Sequence, residues 1–196
     1  MKSLVDAASG LTRIVTLAPE CDPSFQVTRW LANQGITVSA GHCNPSLDQL
    51  RGAIDSGLSM VTHLGNGCPL QLHRHDNVIQ RVLSLADELY IGFIADGIHV
   101  PFAALGNYLA LAKHAFIVTD AVSAAGMGPG TYTLAGQSVL VDENLATWAA
   151  DRSHLVGSAM TMPRVRENLR RHLNCDEETV ERLTRTNPSA AIGLPA

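Results

Sequence analysis

The chain has 196 residues, a formal net charge of -4 and 16% charged residues, a balance that excludes a general nucleic-acid binder and a basic membrane-surface patch. No apolar run reaches the ~18 residues that a membrane-spanning helix needs. With 46% hydrophobic residues, the composition is that of a globular domain with a sizeable core.

The first eight residues include an acid and no long apolar stretch, so they do not read as a signal peptide. Ile14 to Ala18 is the first strand candidate, ended by Pro19 and Glu20. A helix is expected next, with Asp22 as N-cap, Pro23 at its first position, Val27, Trp30 and Leu31 facing inward, and Gly35 as its stop. Thr37 to Gly41 is a second strand, closed by His42. Asn44 and Pro45 open the following helix, with Leu47, Leu50 and Ile54 inside and Gly57 as its stop. Met60 to Thr62 is a third strand, closed by His63.

The rhythm then breaks. Asn66 to Asn77 is polar and holds Pro69, His73, Arg74, His75 and Asp76, which reads as a long functional loop. Helical periodicity returns over Val78 to Leu85. Tyr90 to Ala95 is a fourth strand, followed by Asp96-Gly97-Ile98-His99-Val100. Pro101 starts a helix with Leu105, Leu109 and Ala112 inside, and Phe116 to Thr119 is a fifth strand ended by Asp120. Glu20, His42 and His63 succeed one another at intervals of 22 and 21 residues, and His99 and Asp120 are 21 apart, while the interval from His63 to His99 is 36 and contains the long loop. A strand, a helix and two turns fit that length, so five consecutive β-α units are expected. Beyond them Gly126, Gly128 and Gly130 mark a loop, and Thr131 to Leu134 and Ser138 to Val141 read as a β-hairpin about Ala135-Gly136-Gln137. Leu155 to Met160 leads into helices near 161–173 and 177–185, and Asn187-Pro188 opens a last short helix stopped by Gly193. Three segments are therefore expected: a partial hydrolase barrel over 10–125, a hairpin insertion over 126–150 and a helical part over 151–196.

The chemistry gathers at the strand ends. Ligands of parallel α/β sheets collect at the carboxyl ends of the strands. His42 and His63 end adjacent strands, and two neutral imidazoles suit Zn²⁺ or Fe²⁺ better than Mg²⁺. Two unrelated histidines near turns are the alternative. Asp120 can move protons at such a metal or can cap a turn. Arg74 suits bidentate phosphate contacts, whereas His73 and His75 read as solvated. His99 is a third metal ligand, a substrate contact or a structural histidine. Cys43 should point away from His42 and be inert, and Glu20 takes a structural role. The four cysteines lie far apart with no Cys-x-x-Cys pair, so reduced thiols in a cytoplasmic protein are expected.

Taken in order, Thr16-Leu17-Ala18-Pro19-Glu20, Gly41-His42, Thr62-His63-Leu64, Asn66, Asp96-Gly97-Ile98-His99-Val100, Thr119-Asp120-Ala121, Gly157-Ser158 and Asn187-Pro188-Ser189-Ala190 resemble the N-acetylglucosamine-6-phosphate deacetylase family of the amidohydrolase superfamily. The resemblance runs from about residue 13 to 194. It implies an α/β fold, a partial (β/α)8 TIM barrel holding the last five β-α units, with the hairpin part of a small β-sandwich domain. It implies that His42 and His63 bind a divalent metal, Zn or Fe, and that Asp120 is general base and then general acid. Asn66 and the Gly67 backbone match the substrate-binding segment. Arg74 and His99 match phosphate-contacting positions, the arginine reaching a neighbouring subunit's site in a homodimer. Hydrolysis of the N-acetyl amide of a phosphorylated amino sugar is the implied activity, with no nucleic-acid or membrane partner. A related deaminase or cyclic amidase, or a barrel remnant without activity, are the alternatives. Cys43 stands where the family usually has serine, Gly65 where it has an aromatic residue, and Gly67-Cys68 where it has Ala-Met. The earlier strands, the glutamate ligand and the carbonyl-polarising histidine of the family have no counterpart, so the sequence reads as the C-terminal part of a longer enzyme. Five such units leave open strand edges, and the 196 residues alone are expected to be poorly soluble, to bind metal weakly and to lack turnover.

Overall fold

The computed structural model describes residues 1–195. Two sheets organise them. The larger has five parallel strands in the order β1 (Ile14–Leu17), β2 (Thr37–Ala40), β3 (Leu58–Val61), β4 (Tyr90–Ile94) and β5 (Ala115–Val118). Spatial order follows chain order without reversal, so there is no switch point of the doubly wound kind. β2, β3 and β4 are buried almost throughout, as expected of parallel strands covered on both faces. β1 lies at an edge and is more exposed.

Helices join the strands. After α1 (Lys2–Ala7), which no sequence signal announced, come α2 (Gln26–Asn33), α3 (Leu47–Asp55), α4 (Val78–Leu83) and α5 (Phe102–Leu111). Two starts differ from expectation. A 3-10 turn over Pro23–Phe25 delays α2, and Asp22 caps from further back: its carboxylate accepts from the Val27 and Thr28 amides and the Thr28 hydroxyl at 2.8–3.0 Å. Helix α3 is opened by Ser46, which exchanges side-chain to backbone hydrogen bonds with Gln49 in a capping box, and not by Asn44 and Pro45. Leu31, Leu50, Ala53, Val82 and Leu105 carry the helices' buried faces against Val38, Ile91 and Phe93 of the sheet.

The second sheet is antiparallel: β6 (Gly130–Leu134), β7 (Gln137–Val141), β8 (Ala146–Ala149) and β9 (Leu155–Ser158). Ala135 and Gly136 both have positive φ, 48° and 81°, so the β6–β7 connection is the two-residue turn that fits strand twist, with Gln137 already in β7. Strands β8 and β9 extend what the sequence showed as one hairpin. The sheet has its own small core of Ala124, Val141 and Ala159. It joins the parallel sheet through a parallel bridge between Ala121 and Ser158.

The chain closes with α6 (Met162–Leu173), α7 (Glu177–Glu181), a π turn over Arg182–Thr186 and α8 (Asn187–Ala191). Helix α8 seals the amino ends of the strands. Asn187 Nδ2 donates to the Ala115 carbonyl at 2.7 Å, the Thr37 hydroxyl donates to the Ala191 carbonyl at 3.3 Å, and Ala191 packs on Met60 and Phe116. No helix among the described residues is long and apolar enough to cross a membrane.

Candidate functional site

At their opposite, carboxyl ends the strands turn sharply. His42 follows β2 at φ 52°, His63 follows β3 at φ 28° and Asp120 follows β5 at φ 51°. Side chains with a Cβ seldom hold this left-handed region, and such conformations cost on the order of 1–3 kcal/mol each. After β4 the same role falls to Gly97, at φ 78°. Three strained strand ends facing one cleft are a stronger pointer to a site than residue type alone, and periodicity could not reveal them.

The cleft has a volume of about 520 Å³ and brings together His42, His63, Asn66, Gly67, His99 and Asp120. Six of the seven expected site residues therefore share one cavity. The Nε2 atoms of His42 and His63 are 3.2 Å apart. Two imidazoles ligating one tetrahedral zinc at ~2.05 Å would hold their nitrogens about 3.3 Å apart, so the pair fits a common ion. Burial pushes the His63 imidazole below its ordinary pKa, which keeps the ring neutral, as a metal ligand must be. Its Nδ1 is buried without a hydrogen-bond partner. Among the described residues no group of three or more His, Cys, Asp or Glu side chains is arranged around a metal position.

Neighbours position these rings. Gly67 lies against the His42 imidazole so closely that a Cβ would come within 2.5 Å of Nδ1. Asn66 donates from Nδ2 to the His63 carbonyl at 3.2 Å. Glu20 accepts from the Asn44 amide at 2.6 Å and so ties the end of β1 to the segment after His42, while its Oε2 is buried and unpartnered. Below the histidines a hydroxyl chain crosses three strands: Ser39 Oγ lies 2.7 Å from Thr62 Oγ1, which lies 3.0 Å from Thr16 Oγ1. Cys43 turns into the core, where burial pushes its thiol up to about 12, so it is inert.

His99 is held by Asp96, whose Oδ2 is 2.6 Å from His99 Nδ1 and whose Oδ1 accepts from the Ile98 and His99 amides. Burial raises the Asp96 pKa, but these hydrogen bonds outweigh it and hold the carboxyl below its ordinary value. Asp120 is fixed through its backbone: the Ser158 amide donates to its carbonyl at 2.9 Å, and a Cβ at Gly157 would approach that carbonyl oxygen to 2.9 Å. Strand β9 is thus packed directly on Asp120.

Arg74 stands apart, exposed on the 66–77 loop and outside the cleft lining. Nearby, His73 Nδ1 accepts from the Asp76 amide, and Arg81 pairs with Asp76 at 2.6 Å and donates to the Pro45 carbonyl. His73 therefore shapes the loop. Sequence reasoning missed the far wall of the cleft, where Trp148, Ser153, His154 and Leu155 face the histidines from the β8–β9 hairpin. No spacing marked them, because they reach the cleft through pairing of the second sheet.

Fold and site define an α/β protein with its polar centre at the carboxyl ends of a parallel sheet. No protein-family model matches the chain. Its curated relatives and structural neighbours include N-acetylglucosamine-6-phosphate deacetylases, alongside an N-acetylgalactosamine-6-phosphate deacetylase of Escherichia coli O157:H7 that is 31% identical over 170 residues, covering 86% of this chain and 44% of the relative. It is 36% identical over 187 residues to the Bos taurus enzyme of that name, covering 93% of this chain and 46% of the relative. The Bacillus subtilis enzyme is 35% identical over 189 residues, covering 95% of this chain and 47% of the relative. The structure of the Mycobacterium smegmatis enzyme in complex with N-acetyl-D-glucosamine-6-phosphate superposes with a TM-score of 0.89 at 29% identity, covering 100% of this chain and 52% of that one. The chain spans about half the length of the curated relatives it matches.

Proposed function

We infer that this chain carries the metal-binding and proton-transfer part of an amide hydrolase acting on N-acetylglucosamine 6-phosphate, which is split into glucosamine 6-phosphate and acetate. The observation that carries the reading is the pair of imidazole Nε2 atoms 3.2 Å apart in a cleft that also holds Asp120 and His99. The similarity to the deacetylases supports the substrate. The uninterrupted strand order supports a partial (β/α)8 barrel.

His42 and His63 would hold Zn²⁺ or Fe²⁺. When bound, such an ion supplies Lewis-acid polarisation and makes water more acidic. Asp120 accepts the proton of the water that adds to the acetyl carbon, then returns it to the sugar nitrogen as the C–N bond breaks. His99 gives its Nδ1–H to Asp96, which holds the ring in place beside the phosphate of the substrate. Asn66 and the Gly67 backbone border the sugar. Arg74, exposed and away from this cleft, serves the phosphate of a neighbouring subunit in a homodimer. The setting is the cytoplasm, where the four free cysteines stay reduced.

Zinc binding tests the centre in a chimera that joins the remaining half of the Bacillus subtilis relative to this chain. His42→Ala and His63→Ala should each lose the bound ion, and full metal content in both overturns the metal reading. Acetate release is measured in the same chimera. There Arg74→Ala should impair the phosphorylated sugar far more than N-acetylglucosamine, and equal losses on both would remove the phosphate role.

A further inference from the structure

The hairpin that walls the cleft opposite the histidines has features that packing alone does not explain. Trp148 is half-buried, with its indole Nε1 donating to Asp142 Oδ2 at 2.9 Å. Asp142 is itself set by the Asn144 and Ala146 amides, which donate to Oδ1. The indole is therefore anchored at its polar edge while the side chain borders the cleft. A rigid aromatic surface beside a polar centre is a common element of small-molecule sites.

In the β8–β9 turn, Ser153 Oγ lies 2.6 Å from Asp151 Oδ1 and 2.8 Å from His154 Nδ1. A hydroxyl has one proton, and an ionised carboxylate can only accept. The Ser153 proton therefore goes to Asp151, and His154 must donate from Nδ1. In neutral imidazole that leaves the Nε2 lone pair as an acceptor. The turn thus fixes a tautomer on a side chain that lines the catalytic cleft. It is also held in place, because strand β9 bonds to the Asp120 carbonyl through Ser158.

We propose that the β8–β9 hairpin is the sugar-recognising wall of the cleft, with Trp148 packing on the apolar face of the pyranose ring and His154 Nε2 accepting from one of its hydroxyls. This rests on the reading of the cleft as an amino-sugar phosphate site, and it assigns specificity-determining contacts to a sheet that supplies neither a metal-holding side chain nor a proton-transfer side chain. The Asp151–Ser153–His154 chain makes His154 a tuned acceptor, and the Asp142 anchor presents the indole without rotamer loss on binding.

The chain has two tryptophans, so Trp30→Phe, made in the chimera with any tryptophan of the added half replaced by phenylalanine, leaves Trp148 as the single emitter. Titrating this variant with N-acetylglucosamine 6-phosphate should change its emission saturably, whereas inorganic phosphate should not. In the same background His154→Ala should weaken binding about three- to tenfold, the value of one neutral hydrogen bond. His154→Gln, which keeps an acceptor, should recover much of that loss. Zinc content and circular dichroism should stay unchanged in both. Calorimetric binding of the sugar phosphate with silent Trp148 emission and an unaltered His154→Ala affinity overturns the sugar wall and leaves the proposed function standing. An equal emission change with phosphate alone also overturns it. No calorimetric binding to any variant removes both.

Discussion

The two ends of the parallel sheet are built to opposite rules. At the amino ends, α8 lies across the strands, Met60 and Phe116 pack on Ala191, and the polar groups at the seal are paired. At the carboxyl ends, His42, His63 and Asp120 hold positive φ, His63 Nδ1 and Glu20 Oε2 are buried without partners, and a cleft opens. One end spends its interactions on stability and the other stores strain and unmet hydrogen-bonding capacity. The asymmetry teaches where to look for chemistry: at the end where the rules of good packing are broken.

Substitutions at the two ends should separate activity from stability. The largest effect belongs to Asp120→Asn, which keeps shape but cannot take a proton. Acetate release by the chimera should fall roughly 10²–10⁴-fold with zinc retained; a rate within a few-fold of the parent would refute the shuttle. Next is Gly67→Ala, since the new methyl would occupy the space of the His42 ring at a residue already at φ +66°. Moving a ligand in this way should lower zinc affinity about 10- to 100-fold, read by competition with a chelator, with little change in thermal midpoint.

At the sealed end the pattern should invert. Asn187→Ala removes the bond to the Ala115 carbonyl and should cost about 1–2 kcal/mol in denaturant unfolding. Zinc affinity should be unaltered, and a parallel loss of zinc would mean that the two ends are coupled. The smallest effect is a change of slope with pH. Burial raises the Asp22 pKa, but hydrogen bonds from Thr28 and Val27 outweigh it and hold the carboxyl below its ordinary value. A depressed native pKa gives stability that is complete above the unfolded value of about 3.9 and disappears as pH falls through the native one. Asp22→Asn should therefore flatten the acid limb of a melting-temperature profile below about pH 5, and an unchanged limb would place the acid sensitivity elsewhere.

The sequence made the parallel half legible because each strand there is a short apolar run followed by a polar residue, at an interval of 21 or 22 residues except where the 66–77 loop lengthens it to 36. Those endings carried His42, His63, His99 and Asp120 with them. Helix starts were less legible. Asp22-Pro23 and Asn44-Pro45 both look like caps, yet Ser24 and Phe25 adopt positive φ before α2 begins, and Ser46 wins at α3 because Gln49 can answer it. The second sheet was half seen. Ala135-Gly136 announces its turn, whereas β8 and β9 lack clear alternation and are fixed by pairing. Trp148 and His154 therefore escaped, since a residue that reaches a site through tertiary pairing leaves no local signal.

The bridge between Ala121 and Ser158 also bears on the order of folding. The Val122 amide donates to the Ser158 carbonyl and the Ser158 amide to the Asp120 carbonyl, across the whole length of the antiparallel sheet. The β-α units can form from contacts between near neighbours in the chain. Asp120 cannot settle at φ 51° until β9 has formed and docked. That contact has high sequence separation and must first overcome the entropy of closing the intervening loop. In a refolding experiment helical signal should therefore return before the cleft does, and Asp120 should be the last residue lining the cleft to reach its final position.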